Sequence, residues 1–180
     1  SEAMVVRTKS PMKEDLTVAR APLLRHCCRM SDEESGICRE NIVLVGFMGS
    51  GKSSIGRLLA RRLGFQFLDT DQLVIERAGM EISEIFAKYG ELAFRELETS
   101  VLMSVGHLRR CVIATGGGAV LKEQNRAIMR QIGFVVGLTA SEEVIFDRVS
   151  RNNKRPLLQT ADPRETLRKL LASRAEAYAA

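Results

Sequence analysis

The sequence predicts an α/β domain in three layers, with a parallel sheet between two layers of helices. Three observations predict it. From residue 41 onward, short apolar runs alternate with helical patterns, the mark of parallel strands joined by crossover helices. The first run, Ile42 to Val45, breaks into Gly46-x-x-x-x-Gly51-Lys52-Ser53. A helical pattern follows at once, with apolar positions at Ile55, Leu58, Leu59 and Leu63.

Taken in order, strands are expected at 42–46, 65–69, 111–115 and 134–138, each short, apolar and bounded by polar or glycine residues. Helices are expected at 52–63, 71–78, 82–89, 91–107, 122–131, 141–150 and 162–178. The last has the clearest start. Asp162 suits the cap, Pro163 the first turn, and Glu165 lies three residues after the cap. Its apolar face runs through Leu167, Leu170 and Leu171, and continues to Arg174 and Tyr178. Residues 1–40 mix Arg, Lys, Ser, Pro and acidic residues without sustained periodicity, and are expected to form a flexible extension to a single domain spanning 41–180. Glu14, Asp15 and the acidic cluster at 32–34 argue against an organelle transit peptide.

Bulk properties narrow the class. A chain of 180 residues suffices for one domain with a proper core. No apolar run approaches the roughly 18 residues of a membrane span. The net charge of +5 is consistent with a nucleic-acid surface, but the sequence has no Trp, only two Tyr and no RNA-binding aromatic signature. Many of its arginines fall inside motifs where they would meet small anions. Neither nucleic acid nor membrane is therefore expected as a partner. Cys27, Cys28, Cys38 and Cys111 do not follow a disulfide or zinc spacing, and free thiols in a reducing cytoplasm are the default. A metal held by the first three is the alternative.

The glycine-rich segment is a P-loop. Gly46, Gly49 and Gly51 let the backbone turn its N–H groups toward phosphate oxygens. The following helix adds its unpaired first-turn N–H groups and dipole. Lys52 can reach the β- and γ-phosphates, and the Ser53 hydroxyl can ligate Mg²⁺. The ligand is thus ATP or a similar nucleotide; the motif leaves the reaction open.

Four further constellations follow strand ends or helix faces. Asp69 and Asp71 project to one side of an extended segment. Asp69 suits Mg²⁺ through its water shell and Asp71 a substrate hydroxyl, or else Asp71 caps the next helix. Thr115 precedes Gly116, Gly117 and Gly118, a costly triplet best explained by close approach of a ligand to the backbone. Glu98 lies one helical turn after Arg95. It can orient the guanidinium toward a carboxylate, unless the two are merely a surface ion pair. Arg148, Arg151, Lys154 and Arg155 lie in a polar stretch before Pro156-Leu157-Leu158. That stretch is either an ordinary exposed loop or a lid, around 149–160, that closes on nucleotide phosphates.

Together these pieces resemble the shikimate kinases. The matching segments are Gly46 to Ser53, Phe67-Leu68-Asp69-Thr70-Asp71, Phe94-Arg95-x-x-Glu98, Thr115 to Gly118, Arg155-Pro156-Leu157-Leu158 and Arg174-x-x-x-Tyr178, in that order over residues 41–180. The resemblance implies a P-loop NTPase-like fold and ATP-dependent phosphorylation of the 3-hydroxyl of shikimate, en route to chorismate and the aromatic amino acids. It implies catalytic roles for Lys52, Asp71 and Arg155, with Asp71 the base. Substrate would be bound by Asp71, Arg95, Gly116, Gly117, Gly118 and Arg174, the two arginines taking its carboxylate. ATP would be bound by Gly49, Ser50, Gly51, Lys52, Ser53, Ser54, Arg148 and Arg155, with Arg148 packed on the adenine and Arg155 in the lid. Mg²⁺ would be held by Ser53 and Asp69. A cytoplasmic monomer acting on shikimate and ATP is expected. The family pattern continues into one more strand and helix than these 180 residues supply, so one sheet edge is expected to be bare. A gluconate kinase-like enzyme, or a non-catalytic nucleotide-binding descendant, is the alternative reading.

Overall fold

The computed structural model describes residues 4–8, 40–150 and 162–179. Five parallel strands form one sheet: β1 (Met4–Thr8), β2 (Asn41–Val45), β3 (Gln66–Asp69), β4 (Cys111–Ala114) and β5 (Gly133–Ala140), in the spatial order β1-β5-β2-β4-β3. The helices are α1 (Lys52–Leu63), α2 (Thr70–Ala78), α3 (Ile82–Val105), α4 (Glu123–Ile132), α5 (Glu142–Ser150) and α6 (Pro163–Ala179), with a 3₁₀ turn at Ala119–Leu121.

The central strands show why the sheet needs two covering layers. Every residue of β2 and β4 is buried, as expected for parallel strands covered on both faces. The two-residue period then divides them. Val43, Val45, Cys111 and Ile113 pack with Leu102 and Val105 of α3 and with Met129 and Ile132 of α4. Ile42, Leu44 and Val112 face the other way, onto Ala60, Ile55, Leu59 and Leu63 of α1. Gly56 lets α1 lie close on that face, because a Cβ there would come within 2.5 Å of the Phe67 ring. At the amino ends of the strands, the Asn41 side chain donates to the carbonyls of Leu108 (2.7 Å) and Ile132 (3.2 Å) and accepts from the Cys111 N–H (2.9 Å). One buried amide thereby ties β2 to the starts of β4 and β5.

The expected strands and helices are all present, with ends shifted by one or two residues. The helices expected at 82–89 and 91–107 form α3, interrupted where Gly90 has φ +80°. β5 runs longer than expected because Gly133 pairs with Asn41 at the start of β2, and Thr139 and Ala140 pair with Arg7 and Thr8 of β1. Two differences concern the edge. Within the extension, Met4–Thr8 forms a strand that periodicity did not reveal. It pairs in parallel with β5, from Met4 opposite Val136 to Thr8 opposite Ala140. The expectation of a bare edge is corrected at this side, since β5 is an interior strand.

Candidate active site

Three neighbouring strands, β2, β4 and β3, end at the same rim of the sheet, and each delivers one motif there. β2 leads into the P-loop, β4 into the glycine triplet and β3 into Asp69-Thr70-Asp71. Crevices at the carboxyl ends of parallel strands are where ligands gather.

The P-loop has left-handed backbone at Gly49 (φ +78°) and Gly51 (φ +96°), conformations that favour glycine. Gly51 is the N-cap of α1; no side chain caps that end, and the first turn holds no acidic residue. Its N–H groups and dipole are therefore available to an anion. Ser50 Oγ is buried and has no hydrogen-bond partner among the described residues. Lys52 is buried, and its Nζ donates to the carbonyls of Gly46 (2.8 Å) and Phe47 (3.0 Å). Arg148 of α5 reaches across the loop, where its Nη1 donates to the Gly49 carbonyl at 2.9 Å.

Ser53 Oγ donates to Asp69 Oδ2 at 2.7 Å, and Asp69 Oδ1 accepts the Asp71 N–H at 3.1 Å. Asp69, not Asp71, is thus the cap of α2, which removes the capping alternative for Asp71. A hydroxyl and a carboxylate side by side, next to the phosphate cradle, are the donor set that suits Mg²⁺: hard oxygens, few in number, completed by water and phosphate.

The glycine triplet is explained by its neighbours. A Cβ on Gly116 would lie 2.6 Å from both Asp71 Oδ1 and Glu98 Oε1, and one on Gly118 would lie 2.5 Å from Arg95 Nη1. On Gly117 it would lie 3.1 Å from the Met48 N of the P-loop. The triplet therefore admits two carboxylates and a guanidinium against its backbone, besides any ligand. Gly116 N donates to the buried Thr70 Oγ1 at 3.0 Å, fixing the β4 end to the Asp-Thr-Asp segment.

Arg95 and Glu98 are not a surface pair. Glu98 is 1% exposed, and its Oε2 accepts from Arg95 Nη1 at 2.9 Å. Glu91 takes Arg95 Nη2 at 3.0 Å and Nε at 3.3 Å. A guanidinium has five N–H donors, so the rest stay available to a carboxylate. Burial draws the Arg95 pKa down, but Glu98 and Glu91 outweigh it and the net shift is upward. Burial raises the Glu98 pKa; Arg95 opposes this and Asp71 adds to it. Arg174 of α6 is also buried, with its guanidinium 5.6 Å from the centre of the Phe47 ring.

Arg151, Lys154 and Arg155, with the expected lid and the Pro156-Leu157-Leu158 segment, lie outside the described residues apart from 149–150. So do Cys27, Cys28 and Cys38; Cys111 is a free, buried thiol raised in pKa by that burial. No group of metal-ligating His, Cys, Asp or Glu side chains occurs among the described residues, and no helix among them is long and apolar enough to cross a membrane. Two contributors escaped the sequence reading. Thr70 sits unmarked between two aspartates. Tyr178 was visible on the face of the last helix and as the end of Arg174-x-x-x-Tyr178, with no role at the site attached.

A phosphate cradle, a hydroxyl–carboxylate pair beside it and an anchored guanidinium at the same rim define a P-loop small-molecule kinase. The family model described as shikimate kinase matches residues 48–180. The shikimate kinase of Geobacter sulfurreducens is 53% identical over 139 residues, 77% of each chain. That of Thermodesulfovibrio yellowstonii is 47% identical over 139 residues, 77% of this chain and 80% of its own. Among solved structures, shikimate kinase from Acinetobacter baumannii in complex with shikimate superposes with a TM-score of 0.75 at 42% identity, covering 81% of both chains. The chain belongs to the shikimate kinase family.

Proposed function

We propose that this enzyme transfers the γ-phosphoryl group of ATP to the 3-hydroxyl of shikimate. The observation that carries the reading is the place of the glycine triplet. Its first and last residues touch Asp71, Glu98 and Arg95, while its middle residue borders the P-loop at Met48. An acid-binding pocket and a phosphate cradle thus share one short strip of backbone, as in-line transfer between two bound molecules requires. The A. baumannii relative, 42% identical, was solved with shikimate, which supports the same acceptor here.

In this reading Arg95 and Arg174 hold the acceptor carboxylate, and Gly116, Gly117 and Gly118 form the floor beneath its ring. Asp71 accepts the proton of the attacking hydroxyl. Lys52 leaves its carbonyl partners for the β- and γ-phosphates, and the α1 N-terminus and Ser50, Ser53 and Ser54 line the rest of the triphosphate. Ser53 and Asp69 would hold Mg²⁺, which would offset negative charge on the phosphates. Arg148 packs on the adenine, and Arg155 supplies the lid cation. Positioning and charge neutralisation do most of the work in such a reaction.

The test is a coupled ADP-release assay with shikimate, gluconate and other hydroxylated acids as acceptors. Turnover is expected with shikimate, with none above background for gluconate. Turnover with gluconate and none with shikimate would overturn the reading.

A further inference from the structure

Tyr178 is the residue of the last helix whose hydroxyl reaches the site. Its Oη donates to the carbonyl of Gly117. Its ring packs against both the cluster containing Val120 and Met129 and the cluster containing Phe47, Met48 and Leu167. One helical turn earlier, on the same face, stands the buried guanidinium of Arg174. Gly117 is the middle of the triplet whose flanking residues touch Asp71, Glu98 and Arg95. A single hydroxyl therefore joins the helix bearing one guanidinium to the backbone strip against which the other lies. Burial raises the phenol pKa to about 12, against the opposing pull of Arg174, so the hydroxyl keeps its proton at any working pH.

We propose that Tyr178 is a positioning residue: through Gly117 it fixes the distance between Arg174 and Arg95, and so sets how well the pocket grips the acceptor carboxylate. The inference rests on the reading of those two arginines as carboxylate anchors. Three neighbouring contacts define what is left for Tyr178 to do. Gly116 is held by Thr70. The Ala119 carbonyl accepts from the buried Asn125 Nδ2 at 3.0 Å, and Asn125 Oδ1 accepts from Thr99 Oγ1 at 2.8 Å. Both ends of the triplet are thus tied to α2, α3 and α4, and the Tyr178 bond ties its middle to α6. Without it, the triplet keeps its shape but α6 loses its register to it.

The experiment compares Tyr178→Phe, Tyr178→Leu and Arg174→Ala with wild type, measuring kcat and KM for shikimate and for ATP. One neutral hydrogen bond is worth roughly 0.5–1.5 kcal/mol, so Tyr178→Phe should raise the shikimate KM about 2- to 12-fold. The KM for ATP should stay within about twofold, since the phosphate cradle belongs to a different element. Tyr178→Phe should add little to Arg174→Ala when the two are combined, because the hydroxyl acts through that guanidinium. A Phe variant with wild-type shikimate KM, beside a Leu variant that loses it, would show packing alone and overturn the proposal. Equal losses for both substrates, or a Phe variant that does not fold, would overturn it too. If Arg174→Ala itself leaves the shikimate KM unchanged, it is the anchor reading that fails.

Discussion

Glu98 carries one carboxylate oxygen bonded to Arg95 and another, Oε1, buried without a hydrogen-bond partner among the described residues. A buried acceptor left so costs free energy, and burial accordingly raises the Glu98 pKa. The sign follows from linkage. A carboxyl whose folded pKa lies above its unfolded value stabilises the fold below the ordinary carboxylate range, and that contribution is lost as pH rises through the folded pKa. Urea titrations should therefore show wild type losing stability relative to Glu98→Gln as pH rises above the ordinary carboxylate range; a constant difference would refute the raised pKa. The same titration bears on binding: as pH falls toward that raised pKa, Glu98 neutralises, its hold on Arg95 weakens, and the shikimate KM should climb. Arg95→Ala removes a charged partner worth about 1.5–3 kcal/mol. The shikimate KM should rise roughly 10- to 150-fold with the KM for ATP little changed. Asp71→Asn should lower kcat by about two to four orders of magnitude, the usual contribution of a positioned base, while ATP binding measured by calorimetry persists.

At the scale of elements, the glycines decide where helices and motifs sit. Gly56 lies on the sheet-facing side of α1, against Phe67 and Leu44. Gly56→Val should overpack that contact by roughly 1–3 kcal/mol, read as a fall in Tm with the site chemistry intact. An unchanged Tm would mean that α1 has slack against the sheet. The P-loop was legible because its glycines, lysine and serine fall within one short segment, Gly46 to Ser53, and their chemistry is local. Asp69, Asp71, Arg95 and Glu98 were legible as types at short spacings, but their alternatives stayed open until burial was known. Only the 1% exposure of Glu98 separates an anchored guanidinium from a surface pair. The Gly116 and Gly118 contacts were not legible at all, since they join segments that are distant in sequence. Tyr178 was hidden for the same reason: its partner, Gly117, lies 61 residues away.

For the whole molecule, the sheet order puts the candidate site's motifs on one half and β1 on the other. β3, β4 and β2 carry the site, whereas β5 and β1 complete the sheet beyond it. Met4–Thr8 carries no periodic signal, and what defines it is the open hydrogen-bonding side of β5. Removing residues 1–8 should leave an exposed strand edge, a template for association between copies. Light scattering should then rise with protein concentration while turnover per folded molecule is kept; a monodisperse sample would argue against this role for β1. The pairing also has a temporal side. Met4 is synthesised well before its partner Val136, which lies far along the sequence. Closing so large a loop is slow relative to local contacts, so among the described strands the one made earliest is the last that can join. Until β5 emerges, the pairing groups of that segment stay open to whatever chaperone or neighbouring nascent chain meets them first.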